Sequence, residues 1–310
     1  MKNISLRFCA IIASLISISS IPLEGALQPF ITIHDPATNN ISISHTEGKG
    51  LGYNRGYSSL DLFLAKPLRG STIVPFLDLR GHIFNNGRFA TNAGLGCRWL
   101  NASRERVWGI NFFYDSFIAY RLPYHQVSIG LEALGQIWDV RVNGYLPVGH
   151  KSTPIYALSY DFSSGFLAIA REQFAMRGVD AELGYHFPKM QYFDLYASLG
   201  PYFYFGRSQF TENAWRATSR EAVGGRLRAF ATFLTYLELE GSATYDSCFK
   251  WGGQVTLSLN IPFDWSRDRS CACSLIDRFF QPVIRNEIIV VDRINRFSSD
   301  PAILDPENEA

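Results

Sequence analysis

Beyond its first twenty-odd residues the chain has no apolar run approaching the ~18 residues of a transmembrane helix, so it is not a helical membrane protein. Charge is also sparse. Asp, Glu, Lys and Arg make up 18% of the 310 residues, below the roughly one quarter of ordinary soluble domains, and the net charge is +1. No basic run is present to track phosphates, which argues against nucleic acid as a partner. Cysteine is scarce, at five residues. Cys271 and Cys273, spaced C-x-C, lack the second Cys or His pair of a structural zinc site, so no metal is expected. They read as free thiols or as a possible disulfide to partners in an oxidising envelope compartment. No G-x-S-x-G motif is present, and nothing in the sequence requires a cofactor. His125, His150 and His186 lie beside acids or turns without a defined nucleophile, and His186 near Asp180 and Glu182 reads as part of a polar network. No catalytic residue is assigned.

What is abundant is aromatic and small: aromatics reach 15%, and 25 residues are Gly. Lys2 and Arg7 precede an apolar stretch from Phe8 to Ile21 that is too short to span a bilayer, so residues 1–26 are expected to be a signal peptide for export. Residues 27–50 are expected to be a short periplasmic segment.

The dominant pattern lies between 51 and 265. Segments about ten residues long alternate apolar with polar or small side chains and are separated by turn residues, which is the period of a β-strand. In Val107 to Phe117, Trp108, Ile110, Phe112 and Tyr114 share one face, and Gly109, Asn111 and Asp115 share the other. The split recurs in Tyr57–Leu64, Ile73–Phe84, Phe89–Trp99, Gln126–Gly135, Ile137–Leu146, Gly178–Phe187, Phe193–Phe205, Val223–Phe233, Leu237–Tyr245 and Trp251–Phe263, and more weakly near Phe166–Phe174. Asn85-Asn86-Gly87 supplies hairpin chemistry between two of them. The count is about twelve strands.

Periodicity alone does not say which face meets water. Three features place the apolar face in lipid. Bulky aromatics gather toward strand ends (Trp99, Trp108, Tyr114, Trp138, Trp251, Phe263, with Tyr145 nearby), as interfacial girdles do. The polar faces pair small residues with charges of both signs and hold almost no Lys. The segments also match the ~9 to 11 residues needed to cross a bilayer at a tilt. Open sheet edges in hydrocarbon would leave backbone donors unpaired at several kcal/mol each, so the strands must close. The expected fold is all-β, a transmembrane antiparallel β-barrel of about twelve strands in the cell outer membrane. Its partners would be outer-membrane lipid and the barrel-assembly machinery.

The lumen-facing residues are expected to be Asp78, Arg80, Arg98, Asn111, Asp115, Glu132, Asp139, Arg141, Asn143, Asp180, Glu182, His186, Arg226, Arg228, Glu238 and Glu240. They would either line a selective channel or pair across the lumen. Gly94, Gly96, Gly109, Gly130, Gly144, Gly184 and Gly200 would face in or permit close approach, leaving room for a bulky filler. The tail from Ser274 to Val291, with Leu275, Ile276, Phe279, Phe280 and a β-branched run from Ile288, is the natural filler. Residues 266–310 therefore read as a pore-threading segment followed by a disordered tail from Ser298.

Asn92-Ala93-Gly94-Leu95-Gly96, Gly109 through Asp115, Gly130-Leu131-Glu132 and Val142 through Pro147 resemble the β-domain of inverse autotransporters, the intimin and invasin group. Gly178-Val179-Asp180 through Gly184-Tyr185 and Arg285-Asn286-Glu287-Ile288-Ile289-Val290 are similar to later parts of the same domain. The resemblance runs in order from Gly52 to Asp292. It implies a periplasmic N-terminus and a segment after the last strand that threads back through the pore. Only about 45 residues follow Phe263, too few for the row of immunoglobulin-like domains that family adhesins display, so host adhesion is not expected to carry over. The alternatives are a passive, porin-like channel and a soluble secreted β-barrel that binds a small apolar ligand.

Overall fold

The computed structural model describes residues 40–68, 71–101, 103, 105–119, 123–162, 165–188, 193–207, 219–233, 236–263 and 275–299; of these, the side chains of 154–162, 165–171, 207, 262 and 294–299 are not described. The proposed signal peptide, Cys271, Cys273 and the tail beyond 299 lie outside the described residues.

Among the described residues fifteen strands are present: β1 (Asn40–Lys49), β2 (Tyr57–Ala65), β3 (Ile73–Phe84), β4 (Phe89–Leu100), β5 (Val107–Ile118), β6 (Pro123–Leu134), β7 (Trp138–Val148), β8 (Ser152–Phe162), β9 (Gly165–Ala175), β10 (Arg177–His186), β11 (Phe193–Arg207), β12 (Ser219–Phe233), β13 (Leu237–Asp246), β14 (Lys250–Pro262) and β15 (Val291–Ser299). Twelve close into an antiparallel barrel in the order β1-β14-β13-β12-β11-β10-β7-β6-β5-β4-β3-β2. The seam is formed by β1 against β14, from Asn40↔Pro262 to Lys49↔Gly253, so no ladder edge is left open to hydrocarbon.

The strand count matches the sequence reading, but the membership does not. The weak segment at Phe166–Phe174 lies in β9, which is outside the barrel in a three-stranded sheet ordered β15-β9-β8. The twelfth wall strand is instead β1, within the 27–50 stretch read as a periplasmic segment. Asn40–Lys49 alternates only weakly, with Ile41 and Ile43 opposing Ser42 and Ser44, and its outward positions turn polar at His45 and Glu47. Closure therefore relied on a strand with little apolar signal of its own. No strand was read where β8 lies, and Ser298 and Ser299, read as the start of a disordered tail, complete β15.

The side chains follow the two-residue alternation. On β5, Trp108, Phe112 and Tyr114 are exposed, whereas Val107, Gly109, Asn111, Phe113, Asp115 and Phe117 are buried. The outward surface carries large apolar residues around the wall, Leu95 at 62%, Leu199 at 61% and Trp251 at 70% exposure among them, with charged groups gathered inside. This is the reverse of a soluble protein, and such a contiguous belt requires a hydrocarbon environment. Tyr145 is the exception among the aromatics read as a girdle. It points into the lumen and is buried, because it shares its face with Asp139, Arg141 and Asn143.

Candidate functional site in the barrel lumen

The barrel has a first rim, where β1 begins and β14 ends, and a second rim at the other ends of those strands. After the last wall strand the chain enters the lumen. A single 3-10 turn (Asp277–Phe280) sits toward the first rim. There Phe279, Phe280 and Val283 pack against Phe63, Ala65, Val74, Phe76 and Leu134. Farther along, Ile288, Ile289 and Val291 pack at the second rim against Tyr57, Phe84, Phe117 and Tyr124. Val290 joins Leu51, Tyr145, Phe174, Met176 and Tyr204. The segment thus traverses the pore from rim to rim. Beyond the second rim it becomes β15, which pairs with β9 from Val291↔Ala175 to Ser299↔Leu167.

The predicted interior charges face the lumen and divide into two groups. One group grips the threaded segment. Arg98 donates from Nη1 to the carbonyls of Arg278 (3.1 Å), Phe279 (3.1 Å) and Gln281 (2.5 Å). Its Nε is held by Glu132 at 2.9 Å. Arg80 is clamped by Asp78 at 2.8 and 2.6 Å, donates to the Val283 carbonyl at 2.7 Å, and pairs with Glu287. Asp115 accepts both guanidinium nitrogens of Arg285, at 2.8 and 2.5 Å, and that guanidinium also lies 4.3 Å from the Phe113 ring centroid. Arg226 donates to Asn286 at 3.1 Å. An extended segment has no helix or sheet partners of its own, so its backbone groups must be satisfied by wall side chains, and these arginines satisfy several.

The other group braces the wall. Arg141 bonds Asp139 (3.0 Å) and the Tyr196 hydroxyl (2.5 Å), and Asp139 lies 2.8 Å from His186 Nε2. Asn143 and Tyr145 donate to Asp180 at 2.8 and 2.9 Å, while the Tyr145 hydroxyl accepts from the Asn286 backbone at 2.9 Å. Arg228 lies 3.3 Å from Glu240 and 3.9 Å from Glu182, and Thr232 donates to Glu238 at 3.4 Å. Asn111 packs beside Gly130 with its Nδ2 unpartnered. On β13 the inward Glu238, Glu240 and Ser242 are half-buried and Thr244 and Asp246 nearer the second rim are buried, whereas on the opposite wall Asp78, Arg98, Asp115 and Asp139 are all buried. The threaded segment therefore lies against the β3–β7 wall.

Sequence reading missed a relay that runs from β2 to β4. Ser59 Oγ is 2.7 Å from His82 Nδ1, His82 Nε2 is 2.7 Å from Asn92 Oδ1, and Asn92 Nδ2 donates to Asp115 (2.7 Å) and to the Glu287 carbonyl (2.8 Å). Ser, His and Asn in this order resemble a nucleophile, a base and an orienting group, but all three are buried under the threaded segment. Their spacing in sequence gave no local cue, since three strands contribute one residue each. The inward aromatics Phe63, Phe76, Phe113 and Phe117 were missed as well. Their signal was present in β5, where Phe113 and Phe117 share a face with Asn111 and Asp115. Conversely, Gly144, read as facing in or permitting close approach, faces out between Val142 and Leu146.

At the second rim, the β13–β14 turn brings Cys248 to 3.5 Å from both Asp292 and Arg220, and Arg220 pairs with Asp292 at 3.0 Å. Burial pushes the Cys248 thiol up and Asp292 adds to the shift, which keeps it protonated and poorly nucleophilic. Cys97 and Cys248 are free. Among the described residues no group of His, Cys, Asp or Glu is arranged to hold a metal ion.

The model of one protein family, the β-domain of inverse autotransporters, matches residues 38–240. No curated protein matches at a significant level. Among solved structures, a membrane protein from a study of in-meso crystallisation superposes with a TM-score of 0.56 at 16% identity, over 82% of this chain and 100% of that one. An outer-membrane channel from Pseudomonas putida F1 gives 0.47 at 12% identity, over 77% and 100%. Outer membrane phospholipase A from Escherichia coli gives 0.39 at 14%, over 77% and 94%. Of these three, the first superposes closely enough to speak to the fold, and at such identities it speaks to the fold alone.

Proposed function

Because this chain belongs to the inverse autotransporter β-domain family and is a β-barrel of the bacterial outer membrane, we propose that it carries its own C-terminal segment through its pore and holds that segment at the far side. In this reading the first rim faces the periplasm and the second rim faces outward. The barrel-assembly machinery would insert the wall. The observation that carries the proposal is the continuous path of residues 279–291 from one rim to the other, followed at once by capture of β15 on β9. That immediate capture supports a barrel that anchors the segment it has threaded.

The reading is non-enzymatic. The Asn92 amide is committed to Asp115 and the Glu287 carbonyl, and the Ser59 hydroxyl is buried, so the relay acts as a bracket for the threaded chain.

The test uses intact cells expressing the full chain with an epitope at its C-terminus. Protease added from outside should remove the epitope while leaving the barrel intact. An epitope that is protected until the outer membrane is permeabilised would overturn the orientation and the function with it. A passive channel is the second reading, supported by the half-buried Glu238, Glu240 and Ser242 of β13.

A further inference from the structure

On the outward face, one register row crosses five strands as Phe112↔Ile129, Ile129↔Gly144, Gly144↔Val179 and Val179↔Phe203. The four large side chains flank a position with none. The result is an open, almost wholly apolar groove of about 820 Å³, floored by Gly144 and bounded above by Leu146. The groove lies within the lipid-facing belt, so its occupant is hydrocarbon. Water there would lack polar partners, and an empty groove would forfeit the dispersion contacts of its lining.

One charged side chain lines it. Arg177 begins β10 at the second rim, is exposed, and has its guanidinium 4.9 Å from the Phe205 ring centroid, with no carboxylate in salt-bridge reach among the described residues. An arginine resting on an aromatic face at the end of an acyl-sized groove presents its free donors to a phosphate. We propose that this groove is a binding site for one phosphorylated, multiply acylated glycolipid of the outer leaflet, of the lipid A class, with an acyl chain over Gly144 and a phosphate on Arg177. The choice of leaflet rests on the outward orientation of the second rim proposed above.

Two substitutions separate the parts of the site. A Cβ at Gly144 would meet only Ile129 Cγ2 within 4 Å, at 3.7 Å, so Gly144→Leu fills the groove without displacing the wall. Arg177→Gln removes the charge and leaves the groove. The experiment delipidates the full-length protein in detergent, titrates it with hexa-acylated lipid A or with phosphatidylglycerol, and counts bound lipid by native mass spectrometry. Heat-modifiable gel migration verifies that each variant is folded. The wild type should retain one lipid A in preference to phosphatidylglycerol, Arg177→Gln should weaken retention about tenfold, and Gly144→Leu should weaken it at least as much. Folded variants that both hold lipid A as the wild type does would overturn the site. Phosphatidylglycerol bound as tightly, with the same dependence on Arg177 and Gly144, would leave the groove standing but overturn the glycolipid assignment. The epitope assay above then reads independently whether the orientation has failed.

Discussion

Removal of the Asp115 carboxylate isolates the energetics of the threaded segment. Asp115→Ala strips Arg285 of its two-pronged partner and takes an acceptor from Asn92 and Gln126, at a site where the Arg285 and Asp115 side chains are 1% and 0% exposed. Breaking a buried pair from one side leaves an uncompensated charge and costs about 3 to 5 kcal/mol. Arg80 nearby carries the same sign, and its partners Asp78 and Glu287 are already engaged. If that cost falls on the seated state alone, the ratio of seated to unseated segment drops by roughly a hundredfold to a few thousandfold, at 1.4 kcal/mol per factor of ten. Single-channel recording in planar bilayers reads this ratio directly as the frequency and duration of openings. Asp115→Ala should gate far more often than the wild type, with little dependence on salt because buried pairs are weakly screened. The paired change Asp115→Leu with Arg285→Met should recover most of the closure, since a volume-matched apolar pair avoids the desolvation of both ions. If Asp115→Ala were as silent as the wild type, the pair would be behaving like an exposed ion pair worth under about 1 kcal/mol, and the lumen around it would have to be wet.

Three further outcomes are expected. Deleting residues 275–299 should convert a nearly silent barrel into a steadily conducting one, and equal conductance before and after the deletion would show that the segment does not occlude the pore. Leu257→Arg, on the outward face of β14, should cost about 2 to 4 kcal/mol in a reversible folding assay into lipid vesicles, whereas Thr256→Arg, whose hydroxyl lies 2.8 Å from Thr46 in the lumen, should cost little; similar costs would contradict the assigned faces. Gly52 sits at φ +81 with its missing side chain directed at the Val291 backbone, where a Cβ would come within 2.6 Å of the nitrogen. Gly52→Ala should therefore loosen the segment at the second rim and speed hydrogen exchange at Val290 and Val291, while unchanged exchange would refute the close approach.

The amino-acid sequence by itself determined the period and the facing of eleven wall strands, β2 to β7 and β10 to β14. Alternation is a local property, and each segment from Tyr57 to Pro262 states its own apolar side. It also flagged the tail from Ser274 to Val291 as material to fill the pore. What only the tertiary structure decided is which segments share one closed sheet. β9 and β1 show how little local pattern says about this. Gly165–Ala175 has strand character but spends it on β8 and β15, whereas the faintly patterned Asn40–Lys49 completes the wall because the β14 edge must be paired in hydrocarbon. The same holds inside the lumen. The charges on β3 through β7 were legible as inward, yet the pairing of Asp115 with Arg285, 170 residues away, depends on the route of the returning chain. Ion pairing between distant strands and a threaded segment leaves no periodic trace, because each partner is one residue whose neighbours report only their own strand.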